Sequence, residues 1–171
     1  MRGFTLVEVA VAVAVLAVTL LAICGLFQGS SEGMEYFSKI GTADTSIQRV
    51  LDKITGDISN ASADDVAITP FGGYDAVTVT RAWGENQTAT ITYTVNGGNE
   101  LVRISDIPGR GVRQDVVVRN VDAVLRDGVK GFAVTRIGTS DLFRVSLRVN
   151  VSLRKGGVER RTFTTTVRTR S

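Results

Sequence analysis

The sequence predicts an α+β protein, one long N-terminal helix packed on a C-terminal antiparallel β-sheet. Three observations predict it. An almost unbroken apolar run extends from Phe4 to Phe27. Apolar residues then recur at helical spacing as far as Ile58. From about Ala76 the period becomes two, with glycine-containing turns between the alternating segments.

The apolar run is 24 residues long, or about 36 Å of helix at 1.5 Å per residue. A bilayer core needs about 20 apolar residues, so the segment is long enough to span one. An ordinary secretory signal peptide fits poorly. Its apolar stretch is about 7–15 residues and ends at a small-x-small cleavage site, whereas here the stretch is longer and Leu26-Phe27-Gln28 is a weak match. A simple membrane anchor fits better but leaves Glu8 unexplained. A carboxylate five residues into an apolar run costs several kcal/mol at membrane depth unless it is paired. Taken alone, Glu8 is either a functional group or a side chain that snorkels to the interface.

Across the end of the run, Gly25, Gly29 and Gly33 recur every four residues and share one helical face. Two readings stand together: close packing of helices in a bundle, and local loosening, since each glycine costs about 1 kcal/mol relative to Ala. Phe37, Ile40, Ile47, Leu51, Ile54 and Ile58 then form one stripe, with Gln48, Arg49, Asp52, Lys53 and Asp57 off it. The stripe predicts a helix packed on a sheet, ending near Asn60 to Asp65 where Ser, Asn and Asp cluster.

The sheet is read from alternation. Ala76–Trp83 is a strand, and Thr90–Val95 places Ile91, Tyr93 and Val95 on one face. Asn96-Gly97-Gly98-Asn99 makes a hairpin turn into Leu101–Ile104. Residues 106–113, with Pro108, Gly109 and Gly111, read as a loop. Phe132–Ile137 is a further strand. Leu142–Leu153 alternates most cleanly, with Phe143, Val145, Leu147, Val149, Val151 and Leu153 on one face. Lys155-Gly156-Gly157 turns the chain into a Thr-rich partner, Val158–Thr169.

Net charge is +3 and hides an asymmetry. Residues 1–100 hold 5 basic and 11 acidic residues, a net of −6, whereas residues 101–171 hold 15 and 6, a net of +9. Such a basic half suits an anionic partner such as DNA or a lipid surface. The plainer reading is solvated arginine on the outer face of a sheet, because the arginines alternate with apolar residues. The absence of histidine removes the usual general base and the commonest metal ligand. Cys24 lies within the apolar run, and one cysteine makes no intrachain disulfide. No Walker loop, dinucleotide fingerprint or Cys/His cluster occurs. The expectation is therefore a protein that is not an enzyme and needs no cofactor or metal. Asp64, Asp65 and Asp75 flank a glycine-containing loop, but their spacing matches no calcium loop, and a solvated helix end is the better reading. Tyr74 and Trp83 read as core or rim residues.

Gly3-Phe4-Thr5-Leu6-Val7-Glu8, preceded by Arg2 and followed by the apolar run, resembles the processing motif of type IV pilins and type II secretion pseudopilins. The resemblance implies that prepilin peptidase cuts between Gly3 and Phe4 on the cytoplasmic side and methylates the new amine of Phe4. It assigns Glu8 to filament assembly, pairing with the N-terminal amine of a neighbouring subunit. It implies four segments: residues 1–3 a cleaved leader, 4–27 a transmembrane and filament-core helix, 28–62 an amphipathic helix half, and 63–171 an antiparallel sheet domain. Ile47-Gln48-Arg49-Val50-Leu51, Asp57-Ile58, Tyr93-Thr94-Val95 and Leu101-Val102-Arg103 look like the W-type minor pilins and the J-type pseudopilins. The absence of a cysteine pair departs from many major pilins. The implied protein is a minor pilin or pseudopilin in the inner membrane, its N-terminus cytoplasmic and its sheet domain periplasmic or extracellular. Its implied partners are prepilin peptidase, other pilins or pseudopilins, the inner-membrane assembly platform and the membrane. The alternatives are a minor pilin that binds DNA and a simple membrane-anchored β-domain.

Overall fold

The structure is a computed structural model that describes residues 5–71, 73–122, 130–153 and 156–170. Gly3, Phe4 and Lys155 of the sequence reading lie outside these residues. The chain divides into two compact units, residues 1–41 and 42–171.

A single helix, α1 (Leu6–Ser59), contributes to both units. In the first unit its side chains meet no core. Leu6, Leu21, Leu26, Phe27, Met34 and Phe37 are all exposed, and the segment is long and apolar enough to cross a membrane. Phe37 belongs to the stripe read from the sequence, but it is exposed and takes no part in the core. The helix continues without interruption through Gly25, Gly29 and Gly33. A Cβ added at any of the three meets nothing within 4 Å.

In the second unit the stripe behaves as its spacing predicts. Ile47, Leu51, Ile54 and Ile58 are buried, joined by Val50. After a 3-10 turn at Ala63–Asp65, eight strands follow: β1 (Val66–Phe71), β2 (Tyr74–Ala82), β3 (Thr88–Val95), β4 (Leu101–Ile107), β5 (Gly111–Val118), β6 (Phe132–Arg136), β7 (Leu142–Ser152) and β8 (Val158–Arg168). They form two antiparallel sheets rather than the one expected, a five-stranded sheet in the order β1-β2-β3-β4-β5 and a three-stranded sheet in the order β6-β7-β8. The helix stripe shares one core with Val77, Val79, Ile91, Tyr93 and Leu101 of the larger sheet and Phe132, Phe143, Val145 and Leu147 of the smaller.

Two strands have no counterpart in the sequence reading. β1 is an edge strand, which is where Pro70 is tolerated because its missing N–H breaks no ladder. Residues 106–113, read as a loop, are a hairpin instead. β4 runs to Ile107, Gly109 and Gly111 take φ of 77° and 74°, and β5 begins at Gly111. β5 is an edge strand whose first four residues are all exposed, so it carries no alternating pattern to read. The Asn96–Asn99 turn forms as expected. The Asn96 side-chain oxygen accepts N–H bonds from Gly98 (2.9 Å) and Glu100 (3.0 Å), and Asn99 takes a positive φ of 57°.

Asp75 links the two sheets. It is 5% exposed, pairs with Lys130, and accepts the β6 amide of Val134 at 3.1 Å. Asp75 thereby stands apart from Asp64 and Asp65, with which the sequence groups it. Asp75 is committed to a lysine and a backbone amide, while Asp64 and Asp65 are exposed. No group of three or more candidate metal ligands occurs among the described residues.

Candidate processing and assembly site

The N-terminal site is built from the start of α1. The first turn of any helix has amide groups with no intrahelical acceptor. Here Thr5 and Glu8 satisfy two of them reciprocally. Glu8 Oε2 accepts the Thr5 backbone N–H at 2.9 Å and the Thr5 hydroxyl at 3.0 Å. The Glu8 N–H in turn approaches Thr5 Oγ1 at 3.3 Å, and Val9 N–H closes the first helical turn on Thr5 O at 3.2 Å. This is a capping box, the reciprocal use of a Thr hydroxyl and a Glu carboxylate three residues on. A carboxylate near the positive end of the helix dipole is favoured as well.

Thr5 was overlooked in reading the sequence for function, although Thr5-Leu6-Val7-Glu8 carries the Thr-x-x-Glu signature of such a cap. The cap changes the meaning of Glu8. Its carboxylate is neither bare nor snorkelled, because donors from its own chain hold it at the helix start. Below this turn, Gly3 and Phe4 lie outside the described residues. Above it, the run from Leu6 to Leu26 has no polar side chain other than Glu8 and Thr19, whose hydroxyl donates to Val15 O at 2.8 Å.

The second unit offers a groove of about 400 Å³, between the helix at Ala43–Ile47, the end of β5 and β7. Arg119 is the one titratable side chain that lines it. That guanidinium is turned to Glu100 at 3.3 Å.

Several described arginines of the basic half are paired with carboxylates. Arg103 pairs with Asp57 at 3.1 Å, Arg160 with Asp122 at 3.0 Å, and Arg161 with Asp44 at 2.7 Å. Their alternation in sequence thus sets carboxylate pairing as well as an outer face.

Residues 1–23 match the model of the prokaryotic N-terminal methylation motif. No curated protein and no solved structure matches the chain. The motif, with the apolar helix and the antiparallel sheets that follow it in the chain, fits a type IV pilin-like protein. The match covers the first 23 of 171 residues and supports a type IV pilin-like reading of the N-terminal segment. The exposed apolar helix fits a membrane-anchored protein of that kind.

Proposed function

We propose that this chain is a minor type IV pilin or a pseudopilin, W-type or J-type in kind, that joins a pilus or a type II secretion-like filament as a structural subunit and catalyses no reaction. The observation that carries the reading is Glu8, a carboxylate at the start of an apolar helix whose side chains are otherwise left uncovered. Prepilin peptidase cuts between Gly3 and Phe4 and methylates Phe4, and the new amine becomes a cation four residues before the helix-start carboxylate of its own chain.

In the membrane the capping box keeps the Glu8 carboxylate solvated by protein. On assembly the carboxylate pairs with the amine of a neighbouring subunit. The pairing removes the penalty of two isolated charges and sets axial register, because a slip of one residue unpairs both. Before assembly Arg2 stays in the cytoplasm, in keeping with the positive-inside rule, and the sheet domain faces the periplasm or the exterior. The assembly platform in the inner membrane then draws the helix into the filament. Two features support a minor subunit: Cys24 is the single cysteine, and the sheets hold their form through packing and ion pairs.

The test is the intact mass and N-terminal peptide of the protein from native membranes. The expected product begins at Phe4 with a methylated amine. An intact Met1, or a cut near residue 28, would replace this reading with that of a simple anchored or secreted domain.

A further inference from the structure

The five-stranded sheet ends on one side at β5, and among the described residues no strand pairs with its outer side. β5 follows β4 in regular register from Gly111 to Val116, and the register shifts only beyond that stretch. Val112 and Val116 are 70% and 46% exposed. They stand on a strand whose outer N–H and C=O groups have no ladder, which is a template for pairing with another chain. Proteins guard such an edge with a proline, a bulge or a charge. The opposite edge strand, β1, carries Pro70. Between Val112 and Val116, β5 has neither proline nor bulge.

The charges on this stretch are of opposite sign. Arg113 and Asp115 share one face of the strand, 3.0 Å apart. Val112, Gln114 and Val116 take the other, because side chains alternate along a strand. The order Val112-Arg113-Gln114-Asp115-Val116 is its own complement. Laid antiparallel against a second copy about Gln114, it sets Arg113 opposite Asp115, Asp115 opposite Arg113, and Val112 and Val116 opposite each other. Directly opposed residues share a face of the sheet, so two ion pairs form on one face and two valine pairs on the other. The charges thus repel an indifferent strand and accept one that carries the same pair reversed. Parallel pairing in register would oppose like charges, which is unfavourable.

We infer that β5 docks antiparallel on β5 of a second copy of this chain, joining two five-stranded sheets edge to edge about a two-fold axis. The contact is isologous, the same residues serving both sides. The two-fold turns the second sheet end for end, and with it the part of α1 that shares its core. The second copy is therefore not a neighbour lying parallel in one filament, and the inference does not rest on the filament reading. The paired stretch is short, at the small end of specific interfaces, so the dimer depends on concentration.

The test uses the full chain in detergent, with micelles in excess over chains, and reads its mass by sedimentation over a range of concentrations. The wild type is expected to dimerise. Arg113→Asp and Asp115→Arg each set like charges opposite one another twice in the pair, so each alone should weaken the dimer by about tenfold or more. An equimolar mixture of the two variants should dimerise as the wild type does, because the two substituted strands complement each other. The doubly substituted Arg113→Asp/Asp115→Arg chain should recover as well, since the exchange keeps the order self-complementary. Each single substitution moves the wild-type net charge of +3 by two, to +1 or +5. Both variants stay positive, so their mixture gains no general attraction. A wild type that remains monomeric overturns the proposal. So does a dimer that both single variants retain, which would place the contact elsewhere, as on the apolar helix. A mixture that fails to pair while the wild type pairs would show that the strands do not meet in this register, and overturns it too.

Discussion

The Tyr93 hydroxyl donates a 2.6 Å hydrogen bond to Asp57 Oδ2, tying the last turns of α1 to the middle of the five-stranded sheet. Arg103, opposite Tyr93 in the β3–β4 ladder, completes the link. Its Nε lies 3.1 Å from both Asp57 Oδ2 and the Tyr93 oxygen. Tyr93 is fully buried, and a hydrogen bond to a charged group such as Asp57 contributes about 1.5–3 kcal/mol. Tyr93→Phe in the detergent-solubilised chain should lower unfolding free energy by a similar amount, about 1.5–3 kcal/mol, read from the guanidinium midpoint near neutral pH.

The same link has a pH signature. Burial first, and then the bond and charge of Asp57, push the Tyr93 hydroxyl well above its ordinary value of 10.0. A group whose folded pKa is raised contributes stability that is complete below the unfolded value and is lost as pH climbs towards the folded one. Above about pH 10 the unfolded chain releases the phenol proton while the folded chain retains it, so wild-type stability should fall. Tyr93→Phe lacks this group. The gap between the two proteins should therefore narrow from about pH 8 to about pH 11. A constant gap over that range would mean that the hydroxyl is not held in its neutral form.

Asp75 supports a second prediction, about the two sheets. Asp75→Ala leaves the Lys130 ammonium and the Val134 amide without their carboxylate. Removing one partner of a buried pair costs about 3–5 kcal/mol. Asp75→Asn retains a carbonyl oxygen for the amide and loses the charge, so it should fall between wild type and Asp75→Ala. Equal midpoints for the two variants would show that the Val134 hydrogen bond contributes nothing.

These links also mark where sequence reading stops. β7 was legible because Phe143, Val145, Leu147 and Val149 are buried while Arg144 is exposed. Ile91, Tyr93 and Val95 were legible on β3 for the same reason. β5 was not, since an edge strand exposed on both faces at its start has no alternation, and the division into two sheets depends on pairings that no local pattern encodes. Glu8 stood out because a carboxylate is conspicuous in an apolar run. Asp57 did not. On a helix it reads as one more solvated acid, and its partners Tyr93 and Arg103 lie 36 and 46 residues away in the chain. Long-range polar pairs of this kind are set by the fold rather than by spacing.

Glu8 has two duties that a single substitution separates. In Glu8→Gln the amide oxygen still accepts the Thr5 N–H, as Oε2 does at 2.9 Å, so the helix start is kept. The charge that would pair with a neighbour's amine is gone. Processing should proceed, while incorporation into filaments, measured by immunoblot of sheared filaments against the membrane pool, should drop by about tenfold or more if the ion pair contributes about 1.4 kcal/mol or more. Wild-type incorporation of Glu8→Gln would assign Glu8 to capping alone.

The glycines of α1 carry the last prediction. Gly25, Gly29 and Gly33 weaken the helix by about 1 kcal/mol each relative to Ala, yet an added Cβ at any of them meets nothing in the chain itself. Within one subunit, then, the glycines bring only cost. A stripe of small residues lets helix backbones approach closely, which gives the glycines a use only where a second helix lies against them. Gly29→Ala should raise the helicity of the solubilised subunit and leave its sheet domain unaltered. It should lower incorporation into filaments, and Gly29→Leu should lower it further, because a larger side chain holds the neighbouring backbone further off. Helicity read by circular dichroism and incorporation read by immunoblot would move in opposite directions. If Gly29→Leu assembles as well as the wild type, the glycine face is not a packing surface, and its cost in helix stability has no return in assembly.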